Sequence, residues 1–175
     1  MQGFGHSERI KKITKVSLIV SLSLILSYFD ILISRAIFPF LPTAKIGLAN
    51  IFVVFAIYHM DFKEALVISL MKSLMSLMLG NVIGFLISIF ASVISFFGMY
   101  GSYLLLKKIA SPISISVIGG FLHIIGQLFM VQLIYRIGNS LLFYSAFAIF
   151  VSLITSILIG IISLYFLNYM NNKNS

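Results

Sequence analysis

The chain has 175 residues, of which 61% are hydrophobic and only 9% charged, and it contains no cysteine. Soluble domains carry roughly 25% charged residues, so this composition excludes a water-soluble fold, and the missing cysteines exclude disulfides, thiolate catalysis and cysteine-ligated metals. The formal charge of +8 lies largely in short polar segments between apolar runs, where it reads as membrane topology and not as a nucleic-acid surface.

Residues 1–15 are polar and basic, with Arg9, Lys11, Lys12 and Lys15, and are expected to form a cytoplasmic tail. The first apolar span, residues 16–33, is long and has no small-residue cleavage site after it, so it is expected to remain as a membrane helix. Ser17, Ser21, Ser23 and Ser27 lie on it, and small residues four apart allow close helix contact in a membrane. Asp30 lies near its outer end. Residues 39–50, PFLPTAKIGLAN, form the longest polar interruption and hold two of the three prolines. The second span, residues 46–59, is short: at about 1.5 Å per residue it covers about two thirds of a core of roughly 30 Å. Either the preceding loop dips into the membrane or the helix extends at one end.

Asp61 is expected to cap the next helix, with Glu64 at the capping-box position. The third span, residues 65–79, has Lys72 at its centre, and Gly80-Asn81 is a turn or break. The fourth span, residues 82–106, has no charge. The fifth, residues 113–135, contains Gly119, Gly120, His123, Gly126 and Gln127. The sixth covers residues 141–167. The spacing thus predicts an all-α integral membrane protein in three parts: a basic tail over 1–15, a six-helix transmembrane domain over 16–168 and a polar tail over 169–175. Six spans put both termini on one side. That side would hold eight Lys or Arg residues against Arg35, Lys45 and Arg136 on the other, so both termini are expected in the cytoplasm of a multi-pass protein of the cytoplasmic membrane.

Lys72 is the most informative single residue, because a charge in mid-span usually faces a cavity or a partner. The structural alternative is an ion pair with Asp30 or a snorkelling side chain. His123 and Gln127, four apart, share a helix face; they suit either a ligand or an interhelical hydrogen bond. Asn50 lies one turn inside the second span. Three helices then present polar groups at similar depth, with Lys45 and Arg35 adding positive charge at the mouth. Such a pocket suits a small anionic or strongly polar ligand. Lys45, Asn50, Lys72, His123 and Gln127 are therefore the expected substrate-binding residues, with residues 39–45 as a lid. No catalytic group, metal site or cofactor is expected: there is no acidic cluster for Mg²⁺, no P-loop, no G-x-S-x-G and no H-E-x-x-H.

KIGLAN (Lys45 to Asn50), FKEAL (Phe62 to Leu66), mid-span Lys72, Leu79-Gly80 and H-x-x-G-Q (His123, Gly126, Gln127) together resemble the Gx transporter family, also labelled heptaprenyl diphosphate synthase component I. The resemblance covers about residues 15 to 165. That family is similar to the substrate-binding S components of energy-coupling factor transporters. It implies six helices, a ligand site near the outer face under the loop after helix 1, and partnership with a transmembrane coupling subunit and ATPases. Where S components carry Ala-x-x-x-Ala on helix 1, this chain has Ser17/Ser21 and Ser23/Ser27, which become the expected partner interface. The mid-span basic residue of the family is arginine, and here it is Lys72. Three functions are consistent with these features: a solute-binding uptake protein, a non-catalytic membrane subunit in heptaprenyl diphosphate or isoprenoid-quinone metabolism, and a scaffold of a redox complex. The lipid bilayer and a small molecule are the expected partners, with no nucleic acid.

Overall fold

A computed structural model describes residues 3–37, 45–106, 109–138 and 140–173. Seven helices account for nearly all of them: α1 (Gly3–Ile37), α2 (Asn50–His59), α3 (Phe62–Met71), α4 (Leu74–Leu79), α5 (Val82–Leu106), α6 (Pro112–Tyr135) and α7 (Ser140–Lys173). No strand occurs among the described residues. Four segments, in α1, α5, α6 and α7, are long and apolar enough to cross a membrane. The chain is a multi-pass, all-helical membrane protein. The expected lid over residues 39–44 lies outside the described residues, as do Lys107 and Lys108.

Helix boundaries follow local chemistry. Asp61 caps α3 through a reciprocal capping box in which the Asp61 backbone N–H donates to Glu64 at 3.1 Å. Ser111 caps α6, accepting from the Ser114 N–H at 3.1 Å, and Pro112 occupies the first turn, where a missing N–H costs nothing. Asn81 opens α5 by accepting from the Gly84 N–H at 2.7 Å.

Two spans differ from the sequence expectation. The second is helical only over Asn50–His59, while Ile46, Gly47 and Ala49 are buried in a non-helical turn. The helix does not extend; the chain enters the bundle before it starts winding. The third expected span is broken at Lys72–Ser73 into α3 and α4. There the winding tightens to i→i−3 bonds, Ser73 N to Leu70 O and Ser76 N to Ser73 O, both 3.0 Å. The basic segment expected as a tail is also helical, because α1 begins at Gly3 and not near residue 16.

One end of the bundle gathers the start of α1, the α2–α3 turn, the α5–α6 connection and the end of α7. Lys12 reaches Asp61 and Glu64, the Tyr58 hydroxyl donates to Ala110 O at 2.7 Å, and Leu167 packs into the same core as Ile19, Ile57 and Ile115. At the other end Arg35 donates to Leu79 O, the last residue of α4, at 2.9 Å. Arg35, expected to add charge at a pocket mouth, instead serves the unpaired carbonyls of a helix C-terminus.

α6 is the central helix, packed on α5 and α7, and glycines let it approach both. A Cβ at Gly126 would stand 2.9 Å from Ala91 Cα of α5, and one at Gly120 would overlap the Ser156 Oγ of α7. Hydroxyls bind carbonyls across these seams: Ser95 to Gly119 O at 2.7 Å and Ser116 to Ser156 O at 2.8 Å. In lipid, where no hydrophobic force favours helix on helix over helix on acyl chain, such close contacts and hydrogen bonds hold the bundle.

Candidate functional site

The interior stripe of α1 is Ile19, Ser23, Ser27, Asp30, Ile31 and Ser34, all buried. Its spacings of three and four are those of one helix face. The Asp30 carboxylate receives the Gly47 N–H on both oxygens, each at 3.1 Å. Ser34 donates to Asp30 at 3.3 Å and accepts from the Ile46 N–H at 3.0 Å. Asp30 and Ser34 thereby satisfy the backbone donors of the turn that has no helix to satisfy them. Gly47 adopts φ +92°, and its missing side chain leaves room for Asn50, whose Nδ2 would lie 2.9 Å from a Cβ there.

From this turn the polar groups join in sequence. The Lys72 ammonium, at the α3–α4 break, donates to Asn50 Oδ1. The Lys45 N–H donates to Gln127 Oε1 at 2.9 Å, and its ammonium reaches Ser76 of α4 and Ser88 of α5, the latter at 2.9 Å. Gln127 Nε2 meets His123 Nε2 at 3.1 Å. Because a backbone N–H can only donate, Gln127 Oε1 is the acceptor and its Nε2 the donor. His123 Nε2 must then accept, which puts the neutral imidazole's proton on Nδ1. That Nδ1 is buried and has no hydrogen-bond partner among the described residues.

The five expected site residues thus stand in one region: Asn50 with Lys72, and Lys45 with Gln127 and His123. Asn50, Lys72, His123 and Gln127 are at most 5% exposed. A cavity of about 10 Å³, lined among others by Ser27, Asp30, Lys45, Lys72, Ser88 and His123, lies between them. It is the size of one water molecule. Lys45 is turned into the bundle and not to its mouth. The structural alternative for Lys72, an ion pair with Asp30, does not form: among the described residues the pairs within 4.0 Å are Lys11–Glu8, Lys12–Asp61 and Lys12–Glu64. Two lysines therefore share an interior with one carboxylate that is already hydrogen-bonded to backbone.

The four serines of α1 divide. Ser17 and Ser21 are exposed, whereas Ser23 and Ser27 are 0% and 3% exposed. At 100° per residue, Ser21 and Ser23 lie 200° apart, so one pair cannot share a face with the other. Of the four serines expected at a partner interface, only Ser17 and Ser21 face outward. The sequence reading missed the service of Asp30 and Ser34 to the turn, and missed Ser76 and Ser88. One signal was present: Ser69, Ser73, Ser76 and Ser88, Ser92, Ser95 repeat the same four-three spacing on two segments. The structure pairs them, with Ser73 and Ser92 hydroxyls 3.1 Å apart. No group of three or more His, Asp or Glu residues suited to a metal ion occurs among the described residues.

A family model described as heptaprenyl diphosphate synthase component I matches residues 19–166. The chain belongs to this family. The heptaprenyl diphosphate synthase component I label read from KIGLAN, FKEAL and H-x-x-G-Q is therefore correct. No curated protein matches the chain, and no solved structure does. The component I segment takes in all five expected site residues together with Asp30 and Gly47, while Lys11, Lys12 and Lys15 precede it.

Proposed function

We propose that this component I family protein is a membrane solute-binding protein that takes a small anionic or amphipathic solute from the outer side, in the manner of an energy-coupling factor S component. The supporting observation is the interior cluster itself. Buried ionisable groups in a membrane span are costly and are retained at ligand and ion paths. Here Lys45 and Lys72 face one water-sized cavity with Asp30 as the single nearby carboxylate. The excess cation favours an anion such as a carboxylate or phosphate. On this reading the structure is a contracted form: a cavity of about 10 Å³ is far below the roughly 300 Å³ of a small-molecule site. A solute would enter by exchanging the Lys72–Asn50 and Lys45–serine bonds for its own. Six passes, with both termini and the Lys12–Asp61 end in the cytoplasm, agree with the charge bias.

The chain has no phosphate-binding loop of its own, so uptake would draw on partner ATPases or on a gradient. The outward Ser17 and Ser21 face of α1 would meet a coupling subunit. The test is native mass spectrometry of the purified protein for a retained small molecule, in wild type and Lys72→Met. Loss of the molecule on substitution is expected; equal retention would overturn the reading. A second reading follows the printed family description: a non-catalytic membrane subunit accompanying heptaprenyl diphosphate synthesis. Chain elongation by the soluble synthase, assayed with and without this protein in liposomes, separates the two.

A further inference from the structure

Glu8, Lys11, Lys12 and Lys15 recur at i, i+3, i+4 and i+7 of α1 and so share one helical face. Lys11 pairs with Glu8 at 3.1 Å, and Lys12 pairs with Asp61 and Glu64. Lys15 makes no ion pair or hydrogen bond among the described residues, and it is exposed. It lines a cleft of about 580 Å³ at this end of the bundle, together with Tyr58, Phe62, Tyr100, Tyr103 and the group in which Lys12 pairs with Asp61 and Glu64, so the lining itself holds two lysines against two carboxylates and Lys15 is its unpaired cation. The rings form a continuous wall, Tyr58 against Tyr103 at 5.0 Å and Phe62 against Tyr100 at 4.8 Å between centroids. Tyr58 spends its hydroxyl on Ala110 O. The hydroxyls of Tyr100 and Tyr103 have no protein partner among the described residues.

The cleft has the volume of a small-molecule site. It opens one residue before the apolar span begins, at the depth of lipid headgroups. Below it, Phe62 and the 54%-exposed Phe97 continue an apolar surface into the membrane. Arg9, Lys11, Lys12, Lys15 and Lys63 outnumber Glu8, Asp61 and Glu64, so the surroundings carry a net charge of about +2. We propose that this cleft holds the phosphate headgroup of an anionic membrane lipid, with Lys15 as its cation, Tyr100 and Tyr103 as hydroxyl donors, and an acyl chain along Phe62 and Phe97. The site is separate from the interior cluster and stands whether or not that cluster binds a solute.

The full chain in neutral detergent would be titrated with phosphatidylglycerol, phosphatidylcholine and water-soluble glycerol phosphate, and bound ligand counted by native mass spectrometry. Phosphatidylglycerol should bind severalfold more tightly than phosphatidylcholine. At about 1 kcal/mol per juxtamembrane lysine, Lys15→Met should weaken it about fivefold. Lys15→Arg should restore binding, and Tyr100→Phe with Tyr103→Phe should weaken it further. The exposed, unpaired Lys15 predicts an unchanged lipid-free melting temperature for Lys15→Met. Equal binding of the two lipids, or undiminished binding by Lys15→Met, would overturn the proposal. Glycerol phosphate binding as tightly as the lipid would overturn the lipid assignment and leave a free phosphate compound as the occupant.

Discussion

Gly47→Ala isolates what the turn before α2 contributes. Gly47 and Gly138 both have positive φ, +92° and +72°, so an alanine at either costs roughly 1–2 kcal/mol in backbone strain. At Gly138 nothing lies within 4 Å of the added Cβ, and the cost should stop there. At Gly47 the Cβ would stand 2.9 Å from Asn50 Nδ2. Asn50 is 2% exposed and its Oδ1 already accepts from Lys72, so the amide cannot turn away without leaving a buried ammonium unpaired. Losing a hydrogen bond to a charged group adds about 1.5–3 kcal/mol. For a chain of this size, about 2–4 °C of melting temperature corresponds to 1 kcal/mol. Gly138→Ala should therefore lower the melting temperature by roughly 5 °C, and Gly47→Ala by roughly 10 °C or more. Far-UV circular dichroism in detergent micelles measures both, and Asn50→Ala should add little in the Gly47→Ala background, where the Lys72 hydrogen bond is already lost. Equal shifts for the two glycine variants would refute the coupling of Gly47 to Asn50 and Lys72.

Lys72→Met removes a costly buried charge but leaves Asn50 Oδ1 buried without its donor, a loss of about 1–3 kcal/mol, so it should melt modestly below wild type while abolishing solute retention in the same preparation. Gly126→Ala should destabilise the bundle by about 1–3 kcal/mol, read as a lower melting temperature, since its Cβ would press on the α5 backbone at Ala91 and not on a side chain that can move. The Asp61 carboxylate accepts from Lys12, and that hydrogen bond holds it below the ordinary carboxylate range. A depressed folded pKa stabilises above the unfolded value near about 3.9 and ceases to do so as the pH falls through the folded one. Asp61→Asn should thus melt slightly below wild type at neutral pH, lose that deficit as the pH falls through the folded-state value, and lose it in high salt.

The sequence made the span pattern legible because apolar length and charge-bearing turns are strong, local signals. It made the Asp61–Glu64 cap legible for the same reason. It also pointed to Asn50, Lys72, His123 and Gln127, all buried, since polar groups in apolar helices have few places to go. What it could not display was direction. Lys45 borders the polar loop and reads as a mouth residue, yet its ammonium runs inward to Ser76 and Ser88. Arg35 reads the same way and binds the end of α4. Asp30 reads as a counter-ion for Lys72, but the unpaired N–H of Gly47 is the nearer claim on its oxygens. For Arg35 and Asp30 the competitor is a backbone group left without a helical partner. Such groups appear only where helices stop: the prolines of residues 39–50 mark a break there without marking the residue at which winding begins, and the break at Lys72–Ser73 carries neither proline nor glycine.

Those two stops carry the functional argument further than the lysines alone. A helix that began a full turn before Gly47 would satisfy the Gly47 N–H internally and leave Asp30 free to approach Lys72. The turn instead holds Asp30 on the backbone, and with two lysines to one carboxylate the interior keeps one excess positive charge. The turn that lets the chain enter the bundle unwound thus also fixes where that carboxylate stands relative to both lysines. Asp30→Asn tests this, because an amide can still accept the Gly47 N–H but no longer offsets either lysine. If the cluster exists to hold an anion, Asp30→Asn should retain the solute at least as tightly as wild type and should melt at a similar temperature. A variant that folds and loses the solute would show that Asp30, and not the lysines, is the group the ligand meets.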